Sequence, residues 1–222
     1  MKRAYIVTCA APRTSAVRPG AAHPALHDVD DPLMEVCVKV LKLSAQGLPQ
    51  SWISLEQAVI HYAAGEVRWE LGQEVAVFHG GHNARTGRQS IIAVSSIIGT
   101  RGVPNINPFD LRPTLTNLKL FARDRNLCAY CGGVFPDHEL TREHIVPTSR
   151  GGHDSWMNCI TACRPCNGHK GNRLPEEARM GLLYLPYVPS LHEDMILRGR
   201  RILADQMEFL LASVPRTSRL HG

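Results

Sequence analysis

Two Cys-x-x-Cys pairs, CAYC at Cys128 and Cys131 and CRPC at Cys163 and Cys166, constrain this chain more than any other feature. Each short turn can bring two sulfurs onto one ion at about 2.3 Å, and two such turns fill the four tetrahedral positions that Zn²⁺ prefers. A closed set of four thiolates leaves no position for water, so the expected role is structural. Structural zinc of this kind supplies on the order of 10–16 kcal/mol of apparent binding energy to folding, which matters where loops are long and the local core is small. A redox Cys-x-x-Cys would sit in a βαβ setting and need no twin. Of the three cysteines left over, Cys9, Cys37 and Cys159, the last two lie in apolar stretches and read as buried small hydrophobes.

The remaining composition sets broad bounds. Hydrophobic residues make up 44% of the 222 residues and charged ones 20%, the balance of a soluble globular protein. A net charge of +5 favours an anionic partner without requiring one. No apolar run reaches the roughly 18–20 residues needed to cross a bilayer, so no membrane partner is expected. The opening MKRAYIVTCAAPRTSAVRPG is too weakly apolar for a secretory signal. A cytoplasmic setting follows as the expectation, and there thiols favour metal over disulfides.

Four segments are expected. Residues 1–32, rich in Ala, Pro and Arg, read as a poorly ordered lead-in. Residues 33–110 read as a mainly β part. MEVCVKVLKL is a strand over Met34–Leu43, and SLEQAVIHYAAG is a helix with Ser54 as N-cap, Gln57 completing a capping box and Gly65 stopping it. EVRWE, EVAVFHG and SIIAVSSIIG read as further strands, separated by turns at Gly72, Gly80-Gly81 and Gly87. His79 and His82 read as solvated turn residues. RGVPNINPFDLRPT is a linker or strap. Residues 111–176 start with a helix in LTNLKLFARDRN, striped by Leu115, Leu118 and Phe121 or Ala122, that delivers the chain to Cys128. Residues 177–222 carry a helical tail, LHEDMILRGRRILADQMEFLLAS, whose apolar residues recur at helical spacing and pack on the body or on a second copy as a homodimer.

Between the cysteine pairs lie Glu143, His144, Asn158 and Asn167. Hydrolysis of a phosphodiester needs a deprotonated water, stabilisation of phosphoryl charge and help for the leaving alkoxide. An imidazole is a suitable base at neutral pH. A hard ion such as Mg²⁺ takes oxygen donors, which Glu143 and Asn167 offer. Neighbouring side chains of a strand point to opposite faces, so Glu143 and His144 can share one site only if the chain bends there. Pro147 and Gly151-Gly152 are fit to bend it.

CAYCGG, LTREHIVPTSRGG, MNCITAC and RPCNGHKGNR together resemble the zinc-containing HNH endonucleases, whose fold is the ββα-metal module. The intervals agree: fourteen positions from His144 to Asn158 and nine more to Asn167. A looser likeness to the N-terminal part of bacterial members extends upstream. The resemblance implies an α+β protein with a mainly β N-terminal part, a zinc-braced HNH module and a C-terminal helix. It implies that His144 is the general base, that Asn158 orients the loop after it, and that Glu143 and Asn167 hold a catalytic Mg²⁺ or Mn²⁺. The family's usual Asp before the histidine is Glu143 here, and its third position, often His, is Asn167, with His169 as neighbour. Arg142, Arg150, Arg164, Lys170 and Arg173 are candidate phosphate contacts on DNA, or less centrally on RNA. Two other readings stay open: a nucleic-acid-binding zinc module whose nuclease centre has decayed, and an interaction protein that uses its basic face.

Overall fold

The computed structural model describes residues 7–8, 38–101, 112–216 and 218–221. Cys9, Cys37, most of the lead-in and most of the proline-rich strap lie outside them. The chain separates into two compact units, Met1–Gly102 and Val103–Gly222. Both mix helices with strands, so the fold is α+β. No helix among the described residues is long and apolar enough to cross a membrane.

The first unit is a five-stranded sheet with one helix. Its elements are β1 (Val7–Thr8), β2 (Val40–Ser44), β3 (Pro49–Ile53), α1 (Leu55–Ala63), β4 (Val67–His82) and β5 (Gln89–Thr100), and the strand order is β1-β4-β5-β2-β3. β2 runs parallel to β5 and the other pairs are antiparallel. Parallel strands need a long crossover, which β3, α1 and β4 provide. Val40, Leu41 and Leu43 of β2 and Val94, Ile97 and Ile98 of β5 are fully buried. α1 begins as its sequence predicts: Ser54 Oγ accepts from the Gln57 N–H and Gln57 Oε1 accepts from the Ser54 N–H.

β4 departs from the expectation. EVRWE and EVAVFHG are one sixteen-residue strand, and neither Gly72 nor Gly80-Gly81 makes a turn. Gly72 takes φ +83° where the pairing with β5 shifts between Leu71 and Glu74. A glycine in the left-handed region lets a bulge absorb the irregularity, so the strand continues. The hairpin turns after His82, where Asn83 Oδ1 accepts from the N–H groups of Arg85 and Thr86. His79 and His82 thus lie within β4, and neither belongs to a cluster of metal-ligating side chains among the described residues.

The second unit runs α2 (Asn117–Arg123), β6 (Leu140–His144), β7 (Cys159–Cys163), α3 (Arg164–Lys170), α4 (Leu191–Arg198) and α5 (Ala204–Leu211). β6 and β7 form a two-stranded antiparallel ribbon, with Leu140 opposite Cys163 and His144 opposite Cys159, and α3 follows β7 without a break. Thr116 caps α2 by accepting from the Lys119 N–H. The buried face of α2 is not the expected stripe. Leu118 is exposed, whereas Lys119, Leu120, Phe121 and Arg123 are buried. The two cations can face inward because each is paired, Lys119 with Asp194 and the Thr114 carbonyl and Arg123 with Asp124.

Arg123, with no exposed surface, is the hub. Its Nε and Nη2 donate to the two carboxylate oxygens of Asp124 at 2.8 and 2.9 Å. Nη1 donates to the carbonyls of Trp156 and Tyr187, and Nη2 also to that of Cys159. All five guanidinium N–H groups are therefore used. Asp124 in turn accepts from the N–H and hydroxyl of Thr161 in β7 and from Arg219. The rings of Trp156 and Tyr187 lie over Arg123, and those of Tyr184 and Tyr187 over Arg219. One buried ion pair thus ties α2, β7 and the C-terminal segment together.

That segment is two short helices, α4 and α5, divided at Gly199–Leu203. α4 packs on α2 of the same unit. Lys119 Nζ lies 2.7 Å from Asp194 Oδ1, and Arg198 Nε lies 2.9 Å from Asp194 Oδ2. Met195 of α4 and Leu210 of α5 are fully buried, so part of the helical apolar spacing is used within the chain. Removing one partner of a buried pair leaves an uncompensated charge, at a cost of about 3–5 kcal/mol. Asp124→Ala is expected to destabilise the second unit by that order in urea denaturation, and a loss below about 1 kcal/mol would contradict the hub.

Candidate functional site

The sulfurs of Cys128, Cys131, Cys163 and Cys166 lie within 4.8 Å of one another. Two elements bring them there. Cys128 and Cys131 sit in a turn closed by Cys128 N–H to Gly133 O and Gly132 N–H to Cys128 O. Cys163 ends β7 and Cys166 lies in the first turn of α3. The turn is fastened to β7 by Ala129 N–H to Thr161 O. Burial pushes the Cys128 thiol up, but backbone N–H groups of Cys131, Cys163 and Tyr130 outweigh it and bring the thiol down to about 7. Burial raises Cys166 and Cys163. Four converging sulfurs, one inclined to ionise, make a donor set that fits zinc.

β6 divides the remaining polar residues between its two faces, as strand alternation requires. Thr141 and Glu143 face α3. Asn167 Nδ2 donates to Thr141 Oγ1 at 2.8 Å, and Lys170 Nζ lies 2.5 Å from Glu143 Oε1. Lys170 Nζ also donates to the His144 carbonyl at 2.8 Å. Glu143 and Lys170 are both almost wholly buried. Burial pushes the Glu143 carboxyl up, and the Lys170 ammonium opposes that rise.

Arg142 and His144 face the loop before β7. His144 Nε2 is 3.0 Å from Asp154 Oδ1, and Arg142 Nη1 pairs with Asp154 Oδ2. The Arg142 hydrogen bond, with a contribution from His144, holds the Asp154 carboxyl below its usual range. An ionised carboxylate only accepts, so the proton in this contact belongs to His144 Nε2. In the neutral ring the lone pair is then on Nδ1. Cys159, opposite His144 in the ribbon, sends its thiol toward the same Asp154 oxygen at 3.4 Å, and burial pushes that thiol up to about 11.

Asn158 closes the loop between the strands. Its Oδ1 accepts from Val146 N–H at 2.9 Å, and its Nδ2 donates to the carbonyls of Val146 and His153 at 3.0 Å each. Ile145 N–H donates to the Asn158 carbonyl, so the chain leaving His144 is gripped at two successive residues. Gly152 lies against this grip: a Cβ there would fall 1.8 Å from Val146 O and 2.9 Å from Asn158 Nδ2.

Arg142, Glu143, His144, Thr148, Asn167 and Asn172 line one open cleft of about 250 Å³. Glu143, His144 and Asn167 therefore share a cavity although β6 turns two of them apart. Asn158 does not line it and is joined to it only through the loop after His144. His169 is exposed and does not line the cleft.

The five basic residues differ. Arg150 is paired with both carboxylate oxygens of Glu177, Arg164 donates to His138 O, and Arg173 donates to the carbonyls of His169 and Lys170. Lys170, expected at the surface, is 1% exposed, and a phosphate could reach its ammonium only if the pair with Glu143 opened. Sequence reasoning passed over Asp154 as the partner of His144 and Lys170 as the partner of Glu143. The Asp lies ten residues beyond its histidine in a loop whose path the sequence does not give.

Residues 128–183 match the family model of the HNH endonucleases. The matched span holds the four cysteines, the ribbon, the cleft and α3, and it leaves the first unit outside. No curated protein matches the chain.

The grip on the loop admits a direct test. Forcing atoms into a filled site costs roughly 1–3 kcal/mol. Gly152→Ala is expected to lose that much stability by chemical denaturation, and a neutral result would mean that the loop is not held as described.

Proposed function

We propose, on the premise that residues 128–183 belong to the HNH endonuclease family, that this protein is a metal-dependent DNA endonuclease. The single observation that carries the reading is the one cleft that the His144 imidazole, the Glu143 carboxylate and the Asn167 amide all line.

His144 is the general base. With Nε2–H committed to Asp154, Nδ1 accepts a proton from water, and the water oxygen attacks phosphorus as the bond to the leaving sugar oxygen breaks. That oxygen takes a proton from solvent. Protonation of Nδ1 makes an imidazolium beside the Asp154 carboxylate, which stabilises it. Asn158 holds the loop that fixes the position of His144.

Glu143 and Asn167 are the oxygen donors for Mg²⁺ or Mn²⁺, which when bound supplies charge stabilisation to the phosphoryl and leaving oxygens. Lys170 takes one Glu143 oxygen and leaves Oε2 as the other donor, and Thr141 takes the Asn167 nitrogen and leaves its carbonyl oxygen. The four cysteines hold a structural zinc that fixes where β7 ends and α3 begins. Arg142, which lines the cleft, is the candidate contact for the reacting phosphate, and Arg150, Arg164 and Arg173 are candidates for phosphates farther along the DNA strand.

The rival, a binding module without cleavage, draws on the Glu143–Lys170 pair, which already engages the carboxylate. Nicking of supercoiled plasmid separates the two. The wild type is expected to nick in Mg²⁺ or Mn²⁺, and His144→Ala to lose about 10²–10⁴-fold while keeping its circular dichroism and its zinc. A wild type that shifts the plasmid in a gel but leaves it intact in every divalent ion would favour the rival. Elemental analysis of dialysed protein is expected to give one zinc per chain, lost in Cys128→Ser. Retention of that zinc in the variant would contradict the four-sulfur site.

A further inference from the structure

We propose that His144, Asp154 and Cys159 form a second, inhibitory site for a zinc-class transition metal. Their ligand atoms lie within 4.8 Å of one another and converge on Asp154 Oδ1, which is 3.0 Å from His144 Nε2 and 3.4 Å from Cys159 Sγ. Ligand atoms around a tetrahedral zinc stand about 3.3–3.8 Å apart, given bonds of about 2.0–2.3 Å. Small side-chain adjustments therefore suffice to close the three around an ion. The backbone enforces the arrangement: His144 and Cys159 are directly paired across β6 and β7, so their side chains share a face. Asp154 is 54% exposed at its side chain, so an ion from solvent meets the carboxylate first.

One imidazole nitrogen, one carboxylate oxygen and one sulfur suit zinc-class ions and are poor for Mg²⁺, which wants oxygen alone. Three protein ligands leave a fourth position for water. Binding displaces the Cys159 thiol proton to solvent and moves the His144 proton from Nε2 to Nδ1 as Nε2 takes the metal. The metal-bound ring then has no lone pair for the attacking water. The ion removes the base without touching Glu143 or Asn167. Arg142, paired with the other Asp154 oxygen, keeps a positive charge nearby, so this site binds more weakly than the four-sulfur cluster.

The inhibition rests on His144 being the base, but the metal site does not. The test is a Zn²⁺ titration of zinc-loaded full-length protein against a chromophoric chelator, with plasmid nicking in Mg²⁺ followed alongside. The wild type is expected to take up a second equivalent, with activity falling in step. Cys159→Ala is expected to keep Mg²⁺-dependent nicking, to resist added zinc, and to bind the second equivalent more weakly by more than the roughly 10–100-fold lost when only an outer partner of a metal ligand is removed. Cys159→Ser keeps the volume of this buried residue should the alanine variant fold poorly, and it is expected to behave alike. A wild type that binds only one equivalent, or variants that bind the second as tightly as wild type, would overturn the site. If no nicking is seen at all, the titration still decides the metal site, and the nuclease reading alone fails.

Discussion

A ribbon of two five-residue strands is marginal at best on its own in water, so everything at the cleft depends on what anchors β7, the strand on which β6 pairs. Two clamps act at different points. The four sulfurs gather the end of β7, the start of α3 and the turn at Cys128 within reach of one proposed zinc. The Arg123–Asp124 pair grips β7 in its middle, through Thr161, and at its start, through the Cys159 carbonyl. The same pair reaches the C-terminal segment through Tyr187 and Arg219, which makes the tail part of the module's support. A buried ion pair is weak evidence of net stability, but here every guanidinium proton has an acceptor, which gives the hub one geometry.

With β7 fixed, β6 becomes a divider. Its α3 face carries Thr141 and Glu143, engaged by Asn167 and Lys170, and its loop face carries Arg142 and His144, engaged by Asp154. The proposed division of labour follows from this alternation: oxygen donors on one side, a base on the other, and a cleft that exposes both. The bend after His144, held by Asn158 and made possible by Gly152, opens that cleft. The Asp154 contact decides which imidazole nitrogen keeps the proton, and the same oxygen accepts from the neighbouring Cys159 thiol.

Much of this was legible in the chain itself. The cysteine spacing pointed to a cluster because turn geometry alone brings each pair together. Ser54 and Gln57 marked a helix start because a cap is a local interaction. What escaped was long-range or charged. Lys119, Arg123 and Lys170 look like surface residues until their partners Asp194, Asp124 and Glu143 are known, two of them far along the chain. Leu118 was misplaced for the same reason: an apolar stripe cannot foresee that paired cations will occupy the inner face. Gly72 looked like a turn because a bulge and a turn use the same left-handed glycine. The tail's helical spacing was real, but the break at Gly199–Leu203 and the packing of α4 on α2 depend on contacts outside it.

The central claim is that the catalytic cation and the base occupy opposite faces of one strand. Binding of Mn²⁺, followed by electron paramagnetic resonance in Glu143→Gln, Asn167→Ala and His144→Ala, tests it most directly. The account predicts that the first two lose the bound ion and the third keeps it. Loss of Mn²⁺ in His144→Ala, with retention in both of the others, would contradict it.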